Sequence, residues 1–239
     1  MSEFVTLTLI IALFSLIQSV FGVGLLLFGT PTLLNLGYSY SETLWIVLPA
    51  SLSISLAQIY GQHQLVESKR NVFALTLPSA AAGTLIIFQL EGLTDVSKIV
   101  GAFLLIMGLL RASSVLKNNL DLLITKHPKA IYLSTGLIHG LSNMGGGLLS
   151  FLMASIHKNK LTIRTNIAFV YCCFCFLQLI LLSLFKAEQF NLYCLVFPAI
   201  SLLIFLLLNR FLMDLINENE FQHAISLIII IYGAASLIG

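Results

Sequence analysis

Apolar residues run along this chain in long blocks separated by short polar punctuation. Eight blocks stand out, roughly Phe4 to Leu36, Leu44 to Tyr60, Val72 to Leu90, Val96 to Leu116, Ile131 to Ile156, Ile163 to Phe185, Phe190 to Leu208 and Phe221 to Ile238. Within them apolar residues cover every face, which excludes the alternating strands of about ten residues that build a membrane barrel. A bilayer core about 30 Å thick takes about 20 apolar residues of helix, and only a helix satisfies its own backbone in lipid. The pattern predicts an all-α integral membrane protein with eight hydrophobic segments joined by polar loops, the longest from about Lys117 to Lys129.

Two segments break the pattern. Phe4 to Leu36 is too long for one span at about 1.5 Å per residue, and it is interrupted by Gly22, Gly24 and Gly29, then Pro31. The fifth block carries Gly145, Gly146 and Gly147. Interior glycine costs about 1 kcal/mol relative to alanine, and proline removes a backbone donor. Both segments are therefore expected to be Gly-broken or re-entrant, which lipid tolerates only where protein or a water-filled cavity satisfies the freed backbone groups.

The halves of the chain resemble one another. An offset of 121 residues sets Ser15, Gln18, Ser19, Gly22 and Gly24 opposite Gly136, His139, Gly140, Asn143 and Gly145. An offset of 120 pairs Pro78 with Pro198, and one of 125 pairs Gly108 with Gly233. Transporters are often built from such repeats. The expected organisation is one transmembrane domain with a first repeat over 1–116, a cytoplasmic linker over 117–130 and a second repeat over 131–239.

Composition agrees with a life in lipid: 9% of the 239 residues are charged and 58% are apolar, and mean hydropathy is +1.00. The net charge of +2 includes no basic arm for nucleic acid. Met1-Ser2-Glu3 lacks a basic leader, and the block that follows exceeds a signal-peptide core, so the first segment is expected to be retained. Cys172, Cys173, Cys175 and Cys194 all lie in apolar blocks and do not report a redox compartment.

Charge placement separates two topologies. If every block crosses, seven lysines and arginines face five. If both broken blocks are hairpins, Lys69, Arg70, Arg111, Lys117, Lys126, Lys129, Lys158, Lys160, Arg164 and Arg210 share one side and only Lys98 and Lys186 oppose them. Ten against two is the asymmetry that the positive-inside rule expects. It predicts inverted repeats, each led by a hairpin.

Broken helices in such repeats place a substrate site near the midplane, where half-helix N-termini attract anions through backbone donors and the dipole. No lysine or arginine falls in mid-segment, so an anion would be held by backbone and neutral groups. The candidates are Gln18, Ser19, Gly22, Gly24, Thr30 and Pro31 in the first half, with His139, Ser142, Asn143, Gly145, Gly146 and Gly147 in the second. On one helix Gly136, Gly140, Asn143 and Gly147 would share a face, and close packing alone is an alternative reading of that stripe. His139 is a candidate proton carrier, since an unperturbed imidazole titrates near about 6.5. A neutral hydrogen-bonded histidine is the plainer alternative.

Arg164 is a candidate for the mouth of a cavity, with membrane-surface anchoring as its expected role. Cys172 and Cys175 share a helix face and offer two soft ligands to a metal such as copper(I), but no companion ligands stand at metal-site spacing, so neither a metal site nor a cofactor is expected. Neither a His-Glu-x-x-His nor a Gly-x-Ser-Gly constellation is present, and nothing orients His139 toward Ser142 as base and nucleophile, so an enzyme is not expected.

Gly140-Leu141-Ser142-Asn143-Met144-Gly145-Gly146-Gly147 resembles the G-x-x-G-x-G-G-G element of the TauE/SafE family, also called toluene sulfonate uptake permeases, in everything but Asn143. The first copy, Gly22-Val23-Gly24-Leu25-Leu26 followed by Thr30-Pro31-Thr32-Leu33, keeps the following Pro-x-Leu but has leucine for two of the glycines. Pro78 and Pro198 resemble the family's third-segment proline. The resemblance spans essentially the whole chain. It implies a secondary transporter of sulfite or organosulfonates, multi-pass in the bacterial inner membrane, with the lipid bilayer and a small anionic substrate as partners. Apolar all-round helices also allow a homodimer. A metal-cation carrier and a non-transporting membrane assembly protein are the competing functions.

Overall fold

The computed structural model describes residues 3–67, 69–91, 93, 96–190, 192–215, 217, 220 and 227. Among these the chain forms α1 (Glu3–Phe21), α2 (Leu25–Asn35), α3 (Tyr40–Tyr60), α4 (Lys69–Leu90), α5 (Val96–Ala112), α6 (Ser114–Lys126), α7 (Pro128–Ser142), α8 (Gly145–Ile156), α9 (Lys160–Phe185) and α10 (Tyr193–Leu215). Among the described residues five helices are long and apolar enough to cross a bilayer: α1, α3, α4, α9 and the Tyr193–Met213 stretch of α10. The eighth apolar block lies, apart from Leu227, outside the described residues.

The polar stretch expected as the longest loop is instead mostly helix. α6 buries Leu120 and Ile124, four residues apart, while Leu122 and Leu123 stay exposed, and Ser113 caps its start by accepting from Leu116 N. Its apolar residues are too sparse for a span but recur at helical spacing, which suffices for a helix lying against its neighbours.

The chain divides into two compact units, one of Met1–Val66 with Arg164–Ile216, the other of Glu67–Ile163 with Asn217–Gly239. In the first, α3 packs along α10 and α1 packs against both. Ser39 starts α3 with a reciprocal cap: its Oγ accepts from Glu42 N, and Glu42 Oε2 accepts from Ser39 N at 2.8 Å. At the same end Trp45 donates Nε1–H to Lys186 O and meets Phe190 edge-on with ring centroids 5.2 Å apart.

The second unit is organised by the contact of α4 with α7. A Cβ on Gly136 would lie 2.1 Å from Thr76 O, and one on Gly140 would lie 2.2 Å from Ala80 O. A Cβ on Gly83 would stand 2.8 Å from Leu137 O. Backbone meets backbone here, the close approach that small residues permit between membrane helices. α7 also packs against α5, α6 and α8.

Both glycine-marked segments break, and in each the chain doubles back. Phe14 and Phe28 would stand about 21 Å apart on a continuous helix, yet their ring centroids are 6.0 Å apart. Thr135 and Gly145 would be separated by about 15 Å on a straight helix, yet a Cβ on Gly145 would meet Thr135 O at 2.6 Å. α2 therefore returns along α1, and α8 along α7.

Candidate functional site

The first break begins at Gly22, whose φ of 75° lies in the left-handed region. A Cβ there would also meet Arg164 O at 3.1 Å. Gly24 is required by close approach, since its Cβ would stand 2.5 Å from Phe14 O and 2.6 Å from Gln18 N. Stopping α1 at Phe21 frees carbonyls in its last turn, and starting α2 at Leu25 frees N–H groups.

Side chains partner members of both sets. Gln18 Oε1 accepts from Leu25 N at 3.2 Å, while Gln18 Nε2 donates to Ser51 O at 3.1 Å and to Ser51 Oγ at 2.8 Å. Gln58 Nε2 donates to Gln18 O at 2.9 Å and Ser19 O at 3.1 Å, and Arg164 Nη1 donates to Ser19 O at 3.0 Å. Ser19 Oγ donates to Ser15 O, and Ser15 Oγ to Ser201 Oγ at 2.8 Å. Thr30 and Pro31 are buried where α2 passes from its opening π-helical turn into regular helix.

Arg164 is therefore not a surface anchor. It is 4% exposed, held between the end of α1 and Asn209 of α10, to which Nη1 also donates. The expectation of anchoring treated its place near the start of an apolar helix as a bilayer boundary. The freed carbonyl of Ser19 instead gives the guanidinium a partner inside the protein, and a cation at a helix C-terminus opposes the dipole favourably.

The second break is closed differently. Asn143 takes φ 63° and ψ 8°, the one positive φ outside glycine among the described residues, and its N–H donates to His139 O at 2.7 Å. Asparagine is among the few residues that enter this region at low cost. Ser142 Oγ donates to Ile138 O and accepts from Met144 N. Asn143 thus ends α7 with left-handed geometry, so the position where the sequence departs from the TauE/SafE element is one where glycine and asparagine are conformational equivalents.

α8 then starts at Gly145 with no side-chain cap, because its N-cap residue is Met144. Gly145, Gly146 and Gly147 are all buried. His139, fully buried, lies against this start, with its Cβ 2.5 Å from where a Cβ on Gly145 would stand. The expected one-face stripe is split by the break: Gly136 and Gly140 serve the contact with α4, Asn143 forms the turn, and Gly147 packs on Met107 of α5.

The structure gathers Gln18, Ser19, Gly22, Gly24, Thr30, Pro31 and Arg164 in the first unit, and His139, Ser142, Asn143 and Gly145 to Gly147 in the second. Ser51, Ser55, whose Oγ accepts from Gln18 Nε2 at 3.3 Å, Gln58 and Asn209 escaped the sequence reading. The first three recur at steps of four and three along α3, a polar face that was legible in principle. Asn209 carried no comparable signal. Cys172 and Cys175 are buried in α9, and among the described residues no third metal-ligating side chain joins them.

Five bilayer-length helices and two folded-back segments carrying buried polar groups define a polytopic α-helical membrane protein with the build of a transporter. The profile of the sulfite exporter TauE/SafE family matches residues 7–236, and the chain belongs to that family of multi-pass membrane transporters. Neither a curated protein nor a solved structure matches it.

Proposed function

We propose that this protein is a secondary transporter of small sulfur-containing oxyanions, sulfite or organosulfonates, and that the start of α8 supplies donors to the anion. The observation that carries this reading is a buried, glycine-lined helix N-terminus with no side-chain cap. The first-turn N–H groups of a helix lack intrahelical partners; Met144 brings no side-chain oxygen to them, and its main-chain carbonyl accepts from Gly147 N at 3.1 Å, so the proposed donors are those of Gly145 and Gly146. Such an end attracts an oxyanion through donors and dipole together, and glycines let the ligand approach the backbone. A sulfonate or sulfite accepts hydrogen bonds from several directions, which suits a fan of N–H groups. Gln18, Ser19, Gly22, Gly24, Thr30 and Pro31 are proposed to act through the first break, where Gln18 already occupies the donor at Leu25.

The folded-back segments are proposed to be re-entrant, which gives inverted repeats with ten of the 12 lysines and arginines on one side. His139 is proposed as the proton-coupling group because it lies against the uncapped helix start.

Thermal-shift titration of the purified protein tests the binding reading. Sulfite and taurine-like sulfonates are expected to stabilise it, by about 2.7 kcal/mol at a hundredfold excess over Kd, while carboxylates do so less. With a sulfonate as the ligand, whose anionic group does not change charge near neutral pH, His139→Gln should keep binding and lose the pH dependence of uptake. Stabilisation by copper(I) that depends on Cys172 and Cys175, with no oxyanion response, would favour the metal carrier instead.

A further inference from the structure

The guanidinium of Arg164 is sealed in the first unit with only neutral partners among the described residues, Ser19 O and Asn209 Oδ1. Its Nε is buried and has no acceptor. Gln58 is bound to the same Ser19 oxygen, and its Oε1 is likewise buried with no donor. A cation taken out of water without a counter-ion is strongly destabilising, and buried polar atoms in native structures are nearly always paired. Capping the end of α1 accounts for the bonds to Ser19 O but leaves Nε and Oε1 open.

These two side chains therefore lack one negative charge, one acceptor and one donor. We propose that Arg164, Asn209 and Gln58 form an oxyanion site in the first unit, distinct from the start of α8, that takes a small monoanion bearing its own donor. Hydrogensulfite has that chemistry: an anionic oxygen for Arg164 Nε–H and a proton to give to Gln58 Oε1. A divalent oxyanion would leave one excess negative charge and an unsatisfied acceptor. The inference rests on the anion reading above and adds to it a second site and the protonation state it selects.

Asn209→Asp tests it most cleanly, because it keeps the shape and the acceptor for Arg164 while supplying an internal counter-ion. Calorimetric titration of the full chain in lipid-free detergent is expected to count two hydrogensulfite sites in the wild type and one in Asn209→Asp, with the variant's Tm equal to or above wild type. Arg164→Lys should keep the second site within tenfold, and Arg164→Gln should lose it. Two undiminished sites in Asn209→Asp and Arg164→Gln would overturn the proposal and leave Arg164 as a helix cap. Occupancy by phosphatidylglycerol but not by hydrogensulfite would overturn it too. Loss of the remaining site in Asn143→Leu, with the Arg164 site retained, separates the two; a wild type that binds no oxyanion would sink the anion reading and this one together.

Discussion

Gly140→Ala is expected to be among the most damaging single-methyl changes in this protein. The new Cβ would stand 2.2 Å from Ala80 O and 2.7 Å from Thr84 N. Both are backbone atoms, so neither can swing aside as the end of a flexible side chain would. α7 and α4 must separate or rotate, and the contact that organises the second unit opens along its length. Overpacking a close-packed interior typically costs about 1–3 kcal/mol, and the rigidity of the neighbours places this substitution at about 3 kcal/mol. Gly101→Ala is the control, since a Cβ on Gly101 meets nothing within 4 Å; it removes a helix-interior glycine and should stabilise α5 by up to about 1 kcal/mol. Thermal unfolding in detergent, or folded yield from membranes, reads the difference. Equal stability of the two variants would mean that the α4–α7 contact is not as close as described.

The second large effect concerns Asn143 and divides backbone from side chain. Its left-handed conformation ends α7 and sets the direction in which α8 starts. Asn143→Gly keeps that conformation available and should hold anion affinity within a few-fold. Asn143→Leu forces a bulky residue into a region that costs roughly 1–2 kcal/mol for ordinary L-residues. The turn is expected to relax, the first N–H groups of α8 to lose their aim, and oxyanion affinity to fall at least about tenfold, equivalent to about 1.4 kcal/mol. Calorimetric titration with sulfite measures both variants. Full affinity in Asn143→Leu would remove the left-handed turn from the account.

These effects rest on features that the sequence displays unevenly. The breaks were readable because glycine clusters and Pro31 sit in blocks too long or too interrupted for one span, and helix interiors resist such residues. The stripe from Gly136 to Gly147 was readable as a face but not as what it is. Its first two glycines make a helix contact, while its third member ends the helix on which that face was drawn. Lys117 to Lys129 looked like a loop because it is polar, yet Leu120 and Ile124 needed only one turn's spacing to seat a helix.

Arg164 was the least legible residue. Near the start of a 26-residue apolar helix, an arginine reads as a boundary marker. Its burial depends on the carbonyl of Ser19, 145 residues away, and on Asn209, 45 residues away. Gln58 reaches the same carbonyl from across the unit. Such partners follow from the first break and from the packing of α3 and α10 against α1, which no local pattern encodes. The assumption that an anion must be held without a buried positive side chain is accordingly corrected: the first unit contains one.

The central claim is that the chain moves sulfur oxyanions, and flux into proteoliposomes tests it directly. Wild-type protein is expected to carry labelled sulfite at rates well above empty liposomes, with unlabelled sulfite competing and Asn143→Leu near background. Sulfite flux equal to that of empty liposomes, in vesicles where the protein is shown to be folded, would contradict the account.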